Sequence, residues 1–494
     1  MTTLVNPLLP GFNPDPSIVA VDGTYYLATS TFEYLPGIPI HRSTDFANWQ
    51  LIGHVATRPG QLSDTVPTAG GAWAPTIRHR DGVFHLVITD ALGRGALHFT
   101  ATDAAGPWSD GTPLPELDGI DPDLAWSDDG TAIITYSALS FRDGGVHRGI
   151  EQVRVDLDAG ALLEPPRPLW SGTGLQFPEA PHLYRRGDWW YLMIAEGGTE
   201  RGHGISIARS RSPYGPFEGC PANPLVSARS TSRPIQNTGH GDLVVGPDGE
   251  WLCVLLGVRP RSMTRAFSAL GRETFITTVE WGDDDWPRIA PVELAPRPGV
   301  VRLSDDFEEP ELGGDWIAVR RLPAEIGSTT TRPGWLTVEA RGASIEDAKP
   351  AFIGRRVLHP TARASIRIDV AEGRGGIVLR YDETSYLSVV ADGASVVAHA
   401  RLKGIEQSWS LDCSETELEL AIDAHRPRGG GLFTTSDDID LVAIVGGAEH
   451  VLATIDGRYL SSEVTESFTG RVVGVAALDG VVHVDRFEYV GSDD

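Results

Sequence analysis

Asn13-Pro-Asp15-Pro-Ser17 is the first of five short stretches that read as variants of one phrase. The others are Trp73-Ala-Pro75-Thr76, Ile120-Asp121-Pro-Asp123-Leu124, Pro178-Glu179-Ala-Pro-His182 and Gly239-His240-Gly-Asp242-Leu243, and three of the five set a carboxylate at the same point of the phrase. The steps from Asp15 through Trp73, Asp121 and Glu179 to His240 are 58, 48, 58 and 61 residues. Seven or eight residues after each phrase comes a turn and an aromatic or β-branched run: Asp22-Gly-Thr-Tyr-Tyr-Leu, Asp81-Gly-Val-Phe-His-Leu, Asp129-Gly-Thr-Ala-Ile-Ile, Gly187-Asp-Trp-Trp-Tyr-Leu and Asp248-Gly-Glu-Trp-Leu-Cys. Each unit therefore carries one hairpin.

A repeat of this length with several short strands per unit is the sequence sign of a β-propeller. Five units predict five blades. If each phrase opens the innermost strand of its blade, Asp15, Asp121 and Glu179 converge at one end of the axis. Converging carboxylates are the arrangement with which glycosidic bonds are hydrolysed.

The second half of the chain has a different pattern. Pro291, Pro296, Pro298 and Gly299 read as the approach to a linker. The expected division is a propeller over 1–297, a linker over 298–303 and a second unit over 304–494. That unit shows closely spaced alternating runs such as Ser365-Ile-Arg-Ile-Asp-Val, Gly376-Ile-Val-Leu-Arg-Tyr and Asp440-Leu-Val-Ala-Ile-Val, which predict a jelly-roll-like β-sandwich. No long amphipathic helix is expected, and both units read as all-β.

Composition narrows the function class. The formal charge of 41 minus 67, or −26, repels nucleic acid and anionic lipid. A neutral substrate fits, and 13 Trp and 11 Tyr supply rings for stacking on sugars, although strand packing accounts for most of them. Three cysteines, none in a CxxC spacing, form no disulfide framework. Met1-Thr-Thr-Leu-Val-Asn-Pro has neither the basic region nor the apolar core of a signal peptide, and no apolar run is long enough to span a bilayer. A cytoplasmic protein with a small, imported substrate is the expectation.

The phrase residues carry distinct chemistry. Prolines on both sides of Asp15 stiffen the chain and suit a base that must aim at one water, whereas an ordinary Asx turn is the bland alternative. Glu179 stands among Phe177, Pro178, Pro181, His182 and Tyr184, surroundings that raise a carboxyl pKa and suit a general acid. Asp121 is a third carboxylate, expected to keep Glu179 protonated and oriented, with Asp123 competing for that role. His240, between glycines, reads equally as a ligand contact and as a neutral side chain in the funnel wall. One His without companions at ligand spacing is weak evidence for a metal. Arg272 reads either as a fork to sugar hydroxyls or as a salt-bridge partner.

Together these residues resemble glycoside hydrolase family 43, in its β-xylosidase branch with a C-terminal β-sandwich. The resemblance is carried by Asn6-Pro-Leu-Leu-Pro-Gly-Phe-Asn-Pro-Asp-Pro-Ser17, Tyr25 to Tyr34, Gly71-Ala-Trp-Ala-Pro75, Glu179-Ala-Pro-His-Leu-Tyr184, Ala195-Glu-Gly-Gly-Thr199, Thr238 to Leu243 and Gly271-Arg-Glu-Thr-Phe275. In the second unit Gly354-Arg-Arg356, Phe468-Thr-Gly470 and Asp485-Arg-Phe-Glu-Tyr489 take part. It implies single-displacement hydrolysis with inversion, with Asp15 as base, Glu179 as acid and Asp121, not Asp123, as the residue that tunes the acid. It also implies a pocket lined by Phe32, Trp73, Thr199, His240 and Arg272, with Phe468 of the sandwich closing one end. Cleavage from a chain end follows from a closed pocket.

The expected activity is release of terminal xylose from short β-1,4-linked xylooligosaccharides. An α-L-arabinofuranosidase, or an enzyme with both activities, is the close alternative, because the two sugars present similar hydroxyls near the scissile bond. Glu200-Arg201 in the Gly-Gly-Thr loop departs from the branch pattern and leaves this preference open. A propeller lectin, from another class, needs no opposed acid and base. No cofactor is expected, a calcium ion near His240 or in the sandwich stays open, and the branch implies self-association as a candidate oligomeric state.

Overall fold

Two-residue turns set the blade geometry. In the computed structural model, which describes residues 4–261, 267–341, 344–427 and 437–493, Asp22 and Gly23 join strand Ser17–Val21 to Thr24–Ala28, and Asp81 and Gly82 join Gly71–Arg80 to Val83–Ala91. Both residues of each turn have positive φ, 49° and 76° in the first, 51° and 79° in the second. That twist matches the right-handed twist of paired strands, which is why Asp-Gly recurs here.

Five antiparallel sheets follow in sequence order, each a meander whose first strand is innermost: Ser17–Val21, Gly71–Arg80, Ile120–Trp126, Glu179–Arg186 and Gln236–Val245. This is the expected five-bladed propeller. The chain start closes the ring, since Leu8 N–H donates to Thr274 O at 2.8 Å in the last blade. The Asn6 side chain copies a strand edge there, donating to Ile276 O at 2.8 Å and accepting from Ile276 N–H at 2.9 Å.

The remaining strands form the expected β-sandwich. Its 21-residue strand Val472–Ser492 belongs to both layers: its first half pairs with Phe352–Arg356 and Gly373–Asp382, its second with Trp335–Glu339, Thr361–Asp369 and Val301–Asp305. Between the layers lies one apolar core that includes Trp316, Leu336, Ile366, Leu420, Val475 and Phe487. The stretch expected as a linker, 298–303, is shorter than expected. Strand Val301–Asp305 starts inside it, with Val301 opposite Gly491. Among the described residues the only α-helix is Ser462–Thr465.

The two units share backbone hydrogen bonds. Propeller strand Tyr34–Leu35 pairs with Ile317–Val319, so the chain just beyond Phe32 is fixed by the sandwich. A second junction depends on glycine. A Cβ at Gly470 would lie 2.2 Å from Leu270 O, and one at Gly271, whose φ is +77°, 2.6 Å from Thr469 O. Only residues without side chains let these two backbones approach so closely.

Candidate active site

Each inner strand has one left-handed residue at its phrase, just before the strand in the first blade and within it in the others: Asp15 (φ 57°), Ala74 (43°), Asp121 (53°), Ala180 (50°) and His240 (45°). In four blades the pairing slips there, between Trp73 and Thr76, Ile120 and Asp123, Glu179 and His182, and Gln236 and Gly241. In the first blade Ser30 N–H donates to Pro14 O at 3.1 Å across the same position. These are β-bulges, which re-aim side chains next to functional sites. A proline follows the left-handed residue in four blades, where a missing N–H leaves no ladder bond unmade.

This phase corrects the sequence alignment. Asp15, Asp121 and His240 occupy the left-handed position, whereas Trp73 and Glu179 stand one residue before it. The three carboxylates therefore do not share one point of the phrase. In a regular strand neighbours face opposite sides, but the bulge lets both residues reach the axis. Ile120 and Asp121, adjacent in sequence, line the same pocket.

That pocket, a cavity of about 70 Å³ at the end of the propeller axis, is lined by Asp15, Phe32, Trp73, Ile120, Asp121, Glu179, Thr199, His240, Arg272 and Phe468. All nine residues singled out from sequence meet there, and Ile120 joins them. Phe468 comes from the sandwich, its ring 5.6 Å from that of Trp73 and 6.0 Å from that of Phe32. Trp73 is held by its indole N–H, which donates to Ala69 O at 2.7 Å. Phe141 and Phe177 are exposed and stack edge-on against Trp73 and His147, respectively.

Electrostatics set the carboxylates apart. Asp15 is buried, which pushes its pKa up, but the Arg272 guanidinium, His240 and a hydrogen bond from Ser30 bring it below the ordinary aspartate value. Arg272 Nη1 donates to Asp15 Oδ1 at 3.1 Å and to Thr199 Oγ1 at 3.0 Å, and Ser30 Oγ donates to Asp15 Oδ2 at 2.6 Å. Arg272 thus makes a salt bridge and lines the pocket at once, so the two readings that sequence had set as alternatives are compatible. Glu179 is raised well above its ordinary value, first by burial and then by the charge of Asp121. Asp121 itself is raised to about 7, by burial and by Asp15, although Ala180 N–H donates to its Oδ2 at 3.0 Å. His240 is pulled down to about 4 by burial, with Nδ1 3.5 Å from Asp15 Oδ1.

Two residues past each left-handed position a second ring of polar side chains fills the axis. Arg78 bridges Asp123 at 2.7 Å and Asp242 at 2.8 Å. Ser17 and Tyr184 hydroxyls donate to Asp242 as well, and Leu183 N–H donates to Asp123. Asp123 is fully buried in this network and does not line the pocket, which separates it from Asp121. Among the described residues no group of three or more His, Cys, Asp and Glu is arranged to hold a metal ion, at His240 or in the sandwich.

Sequence reasoning missed Ser30, Ile120 and His203. Nothing in the sequence around Ser30 marks it. Ile120 follows from the bulge. His203 lies within Gly202-His-Gly204, the same tripeptide as Gly239-His-Gly241, and that repetition was the available signal.

Comparison with known proteins identifies both units. The profile of Glycosyl hydrolases family 43 matches residues 4–287, and that of the Beta xylosidase C-terminal Concanavalin A-like domain matches residues 304–490. A non-reducing end α-L-arabinofuranosidase of Bacteroides ovatus is 34% identical, over 96% of this chain and 91% of its own length. A xylosidase/arabinosidase of Humicola insolens is 33% identical, over 99% and 97%. The crystal structure of a xylan β-1,4-xylosidase from Bacillus halodurans superposes with a TM-score of 0.87 at 30% identity, covering 99% of this chain and all of that one. With three carboxylates, a tryptophan and a histidine from its five blade openings gathered in a pocket that Phe468 of the sandwich also lines, this chain belongs to glycoside hydrolase family 43 and is a glycosidase of the xylosidase and arabinofuranosidase group.

Proposed function

We propose that this enzyme removes single sugars from chain ends by one displacement with inversion, with Asp15 as general base and Glu179 as general acid. The observation that carries the reading is the opposed protonation of the two groups. Asp15 is held below the ordinary aspartate value while Glu179 is held well above that of glutamate, so over the pH range between them one is a carboxylate and the other an acid. Asp15 takes a proton from a water as its oxygen bonds to the anomeric carbon. The glycosidic C–O bond breaks, and its electron pair takes the proton of Glu179. Asp121 keeps Glu179 protonated by its charge and fixes the chain beside it through Ala180. Phe32, Trp73 and Phe468 offer faces for a sugar ring, and Thr199, His240 and Arg272 offer hydrogen bonds to its hydroxyls. Both proton-transfer groups belong to the chain itself.

Terminal xylose of short xylooligosaccharides is the substrate class proposed, supported by the β-xylosidase profile over the second unit and by the small pocket under Phe468. A second reading, release of α-L-arabinofuranosyl groups, is favoured by the Bacteroides ovatus relative. Paired kinetics on nitrophenyl β-xyloside and nitrophenyl α-L-arabinofuranoside test the choice, and a higher kcat/KM on the arabinoside would reverse it. Proton NMR of the first product formed from a β-xyloside tests the mechanism: α-xylose is expected, and β-xylose would remove Asp15 as a base in a single displacement.

A further inference from the structure

His203 is buried, at 1% exposure, directly behind Glu179. Its Nδ1 lies 3.1 Å from Asn237 O, a carbonyl that can only accept, so Nδ1 carries the proton and Nε2 keeps a lone pair. Nε2 has no hydrogen-bond partner among the described residues and lies 3.8 Å from Glu179 Oε1. A buried acceptor left unmade costs about 1–3 kcal/mol, and the nearest candidate donor is the acid itself.

The chain is shaped to put the imidazole there. Gly197 and Gly202 pinch the loop that carries it, a Cβ on Gly197 falling 2.1 Å from Gly202 O. Gly239 leaves room for the ring, since a Cβ there would lie 2.5 Å from three ring atoms. The same loop presents Thr199 to Arg272, so one pinched loop touches both the base side and the acid side of the pocket.

We propose that His203 is a positioning residue for Glu179, its Nε2 accepting the O–H of the neutral carboxyl and so holding the acidic proton and the unprotonated oxygen in a fixed orientation. The inference rests on Glu179 being the acid. The terminal torsion of a glutamate is soft, and a small rotation closes the gap. The groups facing the imidazole are Glu179 together with Asp15, His240 and Arg272, and the cation and burial both oppose its protonation. It therefore stays an acceptor across the working range. An acceptor for the neutral acid, and a lone pair turned against its anion, both favour the protonated form.

The test compares wild type, His203→Phe, His203→Gln and Glu179→Ala on xylobiose, whose leaving sugar needs a proton, and on dinitrophenyl β-xyloside, whose leaving group does not. His203→Phe keeps a ring but removes the acceptor. Its kcat on xylobiose is expected to fall about 10- to 100-fold, less than the roughly 10²- to 10⁴-fold that a general acid itself contributes, while kcat on the dinitrophenyl substrate changes less than about threefold. The basic limb of its kcat/KM profile is expected to move about one pH unit toward acid. His203→Gln, which reaches the same point with an amide oxygen, is expected to recover most of the xylobiose rate. Equal losses on both substrates with an unmoved basic limb would reduce His203 to packing and overturn the proposal. Should His203→Phe fail to fold, Gly239→Ala, which displaces the ring, carries the same comparison. Glu179→Ala separates the two levels: if it loses both substrates equally, the acid assignment fails, whatever the His203 variants do.

Discussion

The backbone N–H of Ala180 donates to Asp121 Oδ2 at 3.0 Å, tying the carboxylate of the third blade to the residue that follows Glu179 in the fourth. The bond lowers the pKa of Asp121, yet burial and Asp15 outweigh it. Asp121→Asn keeps an oxygen to accept this bond and removes only the charge. Since that charge raises Glu179, the acid will ionise at lower pH. The basic limb of kcat/KM is expected to move acidward by about one unit, and a limb that stays in place would count against the coupling.

Asp15→Asn is expected to lower kcat by about 10²- to 10⁴-fold on both nitrophenyl glycosides, with thermal unfolding little changed. Arg272→Met acts in the opposite sense on pH. It removes the cation that holds Asp15 down, so Asp15 protonates at higher pH and the acidic limb should rise. Ser30→Ala should raise it too, and should also destabilise the fold by about 1–3 kcal/mol. Ser30 Oγ accepts from Ala74 N–H at 2.7 Å, a buried donor that the variant strands.

Gly470→Ala tests the sandwich as part of the pocket. The new Cβ would meet Leu270 O at 2.2 Å, which must push the 468–470 loop off the propeller and draw Phe468 from Trp73 and Phe32. KM for xylobiose is expected to rise about tenfold or more, as one ring face is lost, while kcat falls less. An unchanged KM would show that Phe468 does not touch the sugar.

Arg78→Met leaves Asp123 and Asp242 buried without their shared cation. Breaking such a pair costs about 3–5 kcal/mol at neutral pH. Burial raises Asp242, but Arg78, His182 and the hydrogen bonds from Tyr184 and Arg78 together outweigh it and leave the carboxyl depressed in the fold, so its stabilisation is present above the unfolded value of about 3.9 and is lost as pH falls through the folded value. Urea unfolding of wild type and variant at pH 7 and at about pH 2.5, between the unfolded and the folded value, should show the gap narrowing in acid. A gap independent of pH would place the effect in packing alone.

Much of the fold was readable because its signals are local. Asp22-Gly23 and Asp81-Gly82 specify their turns by backbone chemistry alone, and alternating runs after Ser304 announce a sandwich. The phase of the phrase was harder. Glu179 looked equivalent to Asp15 and Asp121 because carboxylates were aligned with one another. The prolines Pro16, Pro75, Pro122 and Pro181 mark the true register, since each follows the left-handed residue. The linker was read too long because Val301-Arg-Leu303 is a short strand whose partner lies at 489–491, near the chain end.

The sequence by itself determined five hairpin units, an all-β second unit and the three carboxylates, because turn chemistry, strand alternation and residue type act over a few residues. Tertiary structure decided what the carboxylates are. Asp15 is held below its ordinary value because Arg272, 257 residues away, reaches it together with His240 and Ser30. Glu179 is held well above its ordinary value because it is buried beside Asp121, with His203 behind it. Asp121 and Asp123, two residues apart, part company because a bulge turns one into the pocket while Arg78 takes the other. Charge, burial and direction are properties of neighbours in space, and the recurring phrase could say where such neighbours would gather but not which would meet.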